Sequence, residues 1–211
     1  MRAPADSFER DKGHPWLAAT LDLMMRPLYP ARRLVVPAAH GEVLELGVGT
    51  GLNFGLYDPA KVTRLVGVEP DPYMMRRARK RAAEVPFPVE LHEAGAERLP
   101  FPPDRFETVV VTWSLCTIAD PVAALAETRR VLRPGGTLAF VEHTRSVQPA
   151  LARLQELLTP LWRRLAGGCH LDRPAVDLVR ASGLVMREVE PVGRERWTLL
   201  PVYRGRAVKG A

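Results

Sequence analysis

The chain has 211 residues, 46% of them hydrophobic and 26% charged, which is ordinary for one globular domain with one sizeable core. Its two cysteines, Cys116 and Cys169, exclude a disulfide framework and point to reduced thiols in a cytoplasmic setting. The net charge of +6 raises the question of nucleic acid. The one dense basic run, Arg76-Arg77-Ala78-Arg79-Lys80-Arg81, carries no interleaved aromatics for base stacking, so it reads as a solvated helix face and no nucleic-acid partner is expected.

The N-terminus carries Arg2, Asp6, Glu9 and Arg10, so it lacks the apolar stretch of a signal peptide, and residues 1–13 read as loosely ordered. A helical pattern follows over residues 15–36 through Trp16, Leu17, Leu21, Met24, Met25 and Leu28, interrupted at Pro27 and Pro30. Two readings fit it: a helix packed on the sheet, or a lid within residues 1–36 that touches an apolar substrate or makes weak contact with a membrane surface. Beyond it, short apolar runs alternate with helical ones. Strands are expected at 42–46, 64–68, 88–92, 108–113 and 137–142, and helices at 52–56, 72–83 and 121–132. Runs such as Val109-Val110-Val111 suit strands covered on both faces. A helix is expected at 151–165, and another from an Asp172 N-cap to a terminating Gly183. The tail, 184–208, reads as an antiparallel hairpin. This order predicts a doubly wound α/β sheet, mostly parallel, in a single domain over residues 1–211.

The strongest local signal is Val43-Leu44-Glu45-Leu46-Gly47-Val48-Gly49-Thr50-Gly51: a buried strand running into a glycine turn. Glu69 ends the next strand 18 residues after Gly51, near the roughly 20 expected in a nucleotide-binding βαβ unit. Its carboxylate can accept hydrogen bonds from both hydroxyls of a ribose. Two details argue against a dinucleotide. Glu45 puts negative charge where a pyrophosphate needs amide donors, and suits a ligand with an amino group or a sulfonium. The glycines are also spaced Gly-x-Gly-x-Gly, not Gly-x-Gly-x-x-Gly.

These residues resemble motif I of the class I S-adenosylmethionine-dependent methyltransferases, in which Glu69 falls at the ribose position. Ala94-Gly95-Ala96-Glu97-Arg98-Leu99-Pro100-Phe101 resembles the adenine loop of the ubiquinone/menaquinone-type members, with Gly95 where the family often has Asp. Arg133-Pro134-Gly135-Gly136 resembles the turn before the family's fifth strand. The resemblance spans residues 43–140. It implies a seven-stranded Rossmann-like methyltransferase sheet with a terminal antiparallel hairpin, and S-adenosylmethionine as cofactor with S-adenosylhomocysteine as product. By it, Glu45, Gly47, Gly49, Gly51 and Asn53 surround the cofactor at the first loop. Glu69 and Pro70 follow at the second strand, and Ala96 and Glu97 at the adenine. Trp113, at the end of the fourth strand, joins this set, although a core tryptophan is the plainer reading.

A narrower resemblance, to the methyltransferase-like thiol S-methyltransferases of animals and their bacterial relatives, rests on four segments. They are Leu115-Cys116, Val141-Glu142-His143, Gly167-Gly168-Cys169-His170-Leu171 and the ending Pro201-Val202-Tyr203-Arg204-Gly205-Arg206-Ala207-Val208-Lys209. It implies a small, apolar thiol or amine acceptor, or a lipid headgroup. Such an acceptor must lose a proton, so a base is welcome but not obligatory; His143, just past the fifth strand, reads either as that catalytic base or as a histidine satisfying a loop carbonyl. Glu142 either orients His143 or ends the strand. Cys116 and Cys169 read either as lining the acceptor pocket or as inert core thiols. Cys169-His170 has no partner pair at ligand spacing, so no metal site is expected. Trp162 reads as core. The competing readings are a quinone-type C-methyltransferase, a non-catalytic S-adenosylmethionine-binding regulatory domain, and an NAD-dependent oxidoreductase, which Glu45 and the later motifs oppose.

Overall fold

The structure, a computed structural model, describes residues 13–193 and 198–210. The expectation for residues 1–13 lies outside the described residues except at Gly13. Seven strands form one sheet in the order β3-β2-β1-β4-β5-β7-β6. β1 (Gly41–Leu46) lies between β2 (Val62–Val68) and β4 (Phe106–Thr112), with β3 (Val89–His92) beyond β2 and β5 (Leu132–His143) beyond β4, all parallel. β7 (Val202–Val208) inserts antiparallel between β5 and β6 (Val185–Pro191), so the expected C-terminal hairpin closes one end of the sheet.

Strand alternation divides the apolar residues between two layers. Leu44, Leu46, Val109, Val111, Leu138 and Phe140 pack in one cluster with α4 (Pro121–Val131) and α6 (Ala175–Ala181). Val43, Leu65 and Val110 pack in another with Met75 and Ala78 of α3 (Pro72–Ala82). α3 and α4 start alike: an aspartate, Asp71 or Asp120, accepts from two amides of the first turn, and a proline with pre-set φ follows it.

Three expectations change. The helix expected at 52–56 is one 3₁₀ turn, Phe54–Leu56, because Gly51 and Gly55 disfavour a helix and Asp58-Pro59 stops its extension. α6 starts at Ala175, since Pro174 sets its entry; Asp172 instead accepts from Thr159 Oγ1 at 3.1 Å. β5 begins at Leu132, which pairs with Phe106 before the register shifts and resumes at Thr137. The N-terminal pattern resolves as expected from its prolines, into α1 (Pro15–Met25), a 3₁₀ turn and a single-turn α2 (Tyr29–Arg32). α5 runs Pro149–Leu165. No helix among the described residues is long and apolar enough to cross a membrane.

Gly205 in β7 lies opposite Phe140, and a Cβ there would sit 2.5 Å from the Phe140 ring and 2.7 Å from the Glu188 carbonyl. Gly205→Ala is expected to cost about 1–3 kcal/mol through overpacking. Urea unfolding reads this directly; a midpoint equal to wild type would mean that Phe140 yields without cost.

Chain order reverses between β1 and β4, and open α/β sheets bind ligands outside the carboxyl ends of their strands at this point.

Candidate active site

A cavity of about 890 Å³ opens there, walled by the loops after β1, β2, β3, β4 and β5 and covered by α1 and the turn after it. Its volume suits a small-molecule site.

The first loop is shaped for close approach. Gly47 has φ +66°, and a Cβ there would lie 2.6 Å from Ser114 Oγ. Gly49, at φ +55°, is on the wall beside Leu21 of α1. Glu69, at the carboxyl end of β2, is also on the wall. Its Oε2 accepts from the Gly49 amide at 2.8 Å and its Oε1 from the Asp71 amide at 3.0 Å, so the loop and the carboxylate hold each other in place. Pro70 and Ala96 line the same region. This backbone cradle beside a fixed carboxylate fits a nucleoside ligand.

Other expected site residues sit elsewhere. Glu45 and Asn53 are off the cavity wall, fully buried beneath the loop. Tyr57 donates to Glu45 Oε2 at 2.7 Å, and Asn53 Nδ2 donates to Glu45 Oε1 at 2.9 Å. Arg32 Nη1 completes the cluster by donating to Asn53 Oδ1 at 2.8 Å and Thr112 Oγ1 at 2.7 Å. The charge of Glu45 therefore bears on a buried arginine, which does reach the cavity wall. Gly51 is off the wall too; its missing side chain makes room for Phe54, whose ring would be 2.8 Å from a Cβ. Glu97 lines the cavity, but its carboxylate takes the amides of Ala119 (3.1 Å) and Asp120 (3.3 Å) instead of turning toward an adenine.

Burial raises the Glu45 carboxyl to about 7, against the opposing hydrogen bonds of Tyr57 and Asn53 and the charge of Arg32; the Glu69 charge adds to the rise. The folded state thus holds this proton more tightly than the unfolded one. The associated stability is complete below about 4.5 and is lost as pH rises through about 7. Unfolding free energy is expected to fall between pH 5 and pH 8. Glu45→Gln, which still accepts from Tyr57, should flatten that slope, leaving the share of Glu142, which burial also raises to about 7. An unchanged slope in the variant would mean that Glu45 does not titrate in this window.

α1 contributes Leu17, Leu21, Met24 and Met25 to the cavity, while Trp16 is 50% exposed and off the wall, contrary to expectation. α1 is pinned by Asp22, which accepts from Thr50 Oγ1 (2.5 Å), Arg81 Nη2 (2.7 Å) and Arg77. Two members of the basic run are thus clamps and not only a solvated face.

The remaining wall carries sulfur and imidazole. Cys116 in the loop after β4, His143 at the end of β5 and Cys169 in the loop after α5 present donor atoms that all lie within 4.8 Å of one another. His143 Nε2 is 3.2 Å from Cys169 Sγ. The imidazole stacks on Trp113, with centroids 6.5 Å apart and planes at 28°; Trp113 (φ +59°) and Trp162 are both on the wall, so neither is simply core. His143 is therefore not the free base expected, because its outer nitrogen is engaged by a thiol. The hydrogen bond from Cys116 pulls the Cys169 thiol down to about 5 against burial, helped by His143. Burial lowers the imidazole, but the hydrogen bond and charge of Cys169 outweigh it and the net shift is upward. The Cys116 thiol is raised by its bond to Cys169 and by burial. Glu142 does not orient His143: its Oε1 takes the amides of Ser114 (2.7 Å) and Leu115 (3.0 Å) and so fixes the loop that carries Cys116. His170 is outside the cluster, 3.7 Å from Asp172.

Residues 44–140 match the family described as methyltransferase domain. The chain is 34% identical over 173 residues to thiol S-methyltransferase TMT1B of Rattus norvegicus, covering 79% of this chain and 70% of that one. The chain belongs to the S-adenosylmethionine-dependent methyltransferases. The methyltransferase is also 36% identical over 157 residues to phosphatidylethanolamine N-methyltransferase of Cereibacter sphaeroides, covering 72% of this chain and 75% of the relative. Among solved structures, an S-adenosylmethionine-dependent methyltransferase of Thermotoga maritima superposes with a TM-score of 0.64 at 25% identity, covering 93% of this chain and all of that one. S-adenosylmethionine is thus the cofactor of this methyltransferase.

Arg32 and Asp22 were not visible as site residues in the sequence, because one arginine or aspartate carries no sign of burial. The Cys–His cluster had only a weak signal, two cysteines and a histidine each next to a motif.

Proposed function

We propose that the methyltransferase transfers a methyl group to a small, largely apolar thiol. The observation that carries this reading is the patch of sulfur and imidazole that Cys116, His143 and Cys169 form on the cavity wall. β2 and β5 are separated by β1 and β4, so three strand spacings place His143 roughly 14 Å from Glu69 across the sheet. In this arrangement Glu69, Gly47 and Gly49 hold the nucleoside end, with Pro70, Ala96, Glu97 and Trp113 around it. Cys116, His143 and Cys169 face the acceptor end. When bound, S-adenosylmethionine supplies an electrophilic methyl group on a sulfonium. The protein's part is to align acceptor and cofactor, exclude water and provide the acceptor as a nucleophile. The relative named as a thiol S-methyltransferase supports the acceptor class, and reduced cysteines on the wall suit a cytoplasmic setting.

The test is a panel assay with labelled cofactor and a small apolar thiol, a matched amine, a phosphatidylethanolamine vesicle and a quinol. Methylation of the thiol above the other three is expected. Transfer to the amine or vesicle alone would replace the thiol by a nitrogen acceptor, and transfer to the quinol alone would make the enzyme a C-methyltransferase.

In the same reading residues 13–36 act as a lid on a single methyltransferase domain. Asp22→Ala removes the acceptor for Arg77, Arg81 and Thr50 and loosens α1 on α3, leaving Arg77 Nη1 on the Ala18 carbonyl. Turnover is expected to drop roughly 10–100-fold through misplacement of the acceptor, with cofactor affinity little changed. Normal turnover in this variant would make the segment scaffold.

A further inference from the structure

We propose that Cys116, His143 and Cys169 form a binding site for a thiophilic divalent cation, zinc by preference, whose open fourth position takes the sulfur of the acceptor. The second half of this inference rests on the thiol reading above; the first half does not. Two thiols and an imidazole come from three separate segments: the loop after β4, the last residue of β5 and the loop after α5. With Zn–S of about 2.3 Å and Zn–N of about 2.0–2.1 Å, tetrahedral ligand atoms lie roughly 3.5–3.8 Å apart. The observed set, all within 4.8 Å and one pair at 3.2 Å, reaches that geometry by small side-chain movements.

The donors are on a firm support. The Cys116 loop is held by Glu142 through the Ser114 and Leu115 amides, by Arg173 Nη1 on the Leu115 and Ile118 carbonyls, and by the His170 amide on the Cys116 carbonyl at 2.9 Å. Gly167 and Gly168, at φ +58° and +89°, turn the chain so that Cys169 enters the wall, and a Cβ on Gly167 would lie 2.5 Å from Leu17. His143 turns Nε2 toward Cys169 Sγ at 3.2 Å, so Nε2 is the ring nitrogen that faces the cluster. All three donor residues line the cavity. A three-ligand Cys₂His set with one side open is the form of a catalytic zinc site, not a structural one.

The charges agree with this. Two thiolates and a neutral imidazole neutralise a dication, so a sulfonium in the same cavity meets no net positive charge. The acceptor R–SH displaces a metal-bound water: a metal–sulfur bond forms, a metal–oxygen bond breaks, and the S–H proton leaves to solvent. The sulfur is then held as a thiolate at neutral pH without a free base.

The experiment starts from the full chain, reduced with a phosphine and freed of metal by a chelator. Zn²⁺ is titrated against a chromophoric chelator, and Co²⁺ is followed by its absorbance. Wild type is expected to bind one Zn²⁺ more tightly than about 1 μM and to give Co²⁺ sulfur charge-transfer bands. Cys116→Ser and Cys169→Ser should lose the bands and weaken Zn²⁺ binding by more than about 100-fold, beyond the loss of an outer-shell partner. S-adenosylhomocysteine affinity and the unfolding midpoint of each variant report whether it folds. Adding a small thiol to the Co²⁺ protein should intensify the charge-transfer bands, a readout independent of turnover. Absence of Zn²⁺ binding, or binding unaffected by both serine substitutions, overturns the site. Undiminished thiol methylation after exhaustive chelation overturns the role of the cation and leaves the thiol reading intact. A Cys₂His cation site that takes no thiol, in a protein that methylates none, overturns the thiol reading and leaves the site.

Discussion

His143→Ala is expected to lower methyl transfer by about 10²–10⁴-fold while S-adenosylhomocysteine binds nearly as in wild type. The magnitude is that of removing a group that readies the nucleophile. The selectivity comes from position. His143 ends β5, whereas Glu69 and the glycine loop belong to β2 and β1, so of the residues placed around the nucleoside Trp113 is the one stacked on the imidazole. The variant also removes the ring stacked on Trp113. His143→Phe separates the two effects, since it keeps an aromatic plane and removes both nitrogens. It should be as impaired as Ala. Recovery of turnover in the Phe variant would reduce His143 to a packing residue. Single-turnover rates with calorimetry of the product complex measure both quantities.

Glu69→Ala is expected to weaken cofactor binding roughly ten- to hundredfold, the loss of a charged acceptor worth about 1.5–3 kcal/mol. Two consequences combine. The ribose loses its carboxylate, and the Gly49 and Asp71 amides lose the acceptor that now fixes them at 2.8 and 3.0 Å. The second consequence loosens the loop on which Gly47 and Gly49 sit, so turnover at saturating cofactor should also fall. Calorimetry with S-adenosylhomocysteine gives the first number and saturation kinetics the second. Equal affinity in wild type and variant would remove Glu69 from the site.

Alternation of apolar residues, Asp-Pro helix starts and the glycine turn are local, short-range signals, so the order of strands and helices could be read directly from the chain. Gly47, Gly49 and Glu69 were legible for the same reason: a tight turn at a strand end demands glycine, and the acidic residue follows at a fixed interval. Glu45 marks the limit of such reading. Its place in the strand was evident, but which way it faced depended on Tyr57 and Asn53 lying beneath the loop and on Arg32 arriving from the segment before β1. A charge in a strand carries no sign of whether a ligand or a buried partner meets it.

The order of strands and helices, and a glycine turn and an acidic residue at the carboxyl ends of the first two strands, could be read from the chain because each is signalled by neighbouring residues. Only packing brought two thiols and an imidazole together on one cavity wall. Cys116, His143 and Cys169 come from three separate segments that share no local motif. They meet because β4 and β5 pair side by side and the loop after α5 returns across their ends. Asp22 likewise becomes a clamp only when α1 lies against α3. Contacts of this kind depend on how separate segments pack together, and packing leaves no periodic trace in any one of them.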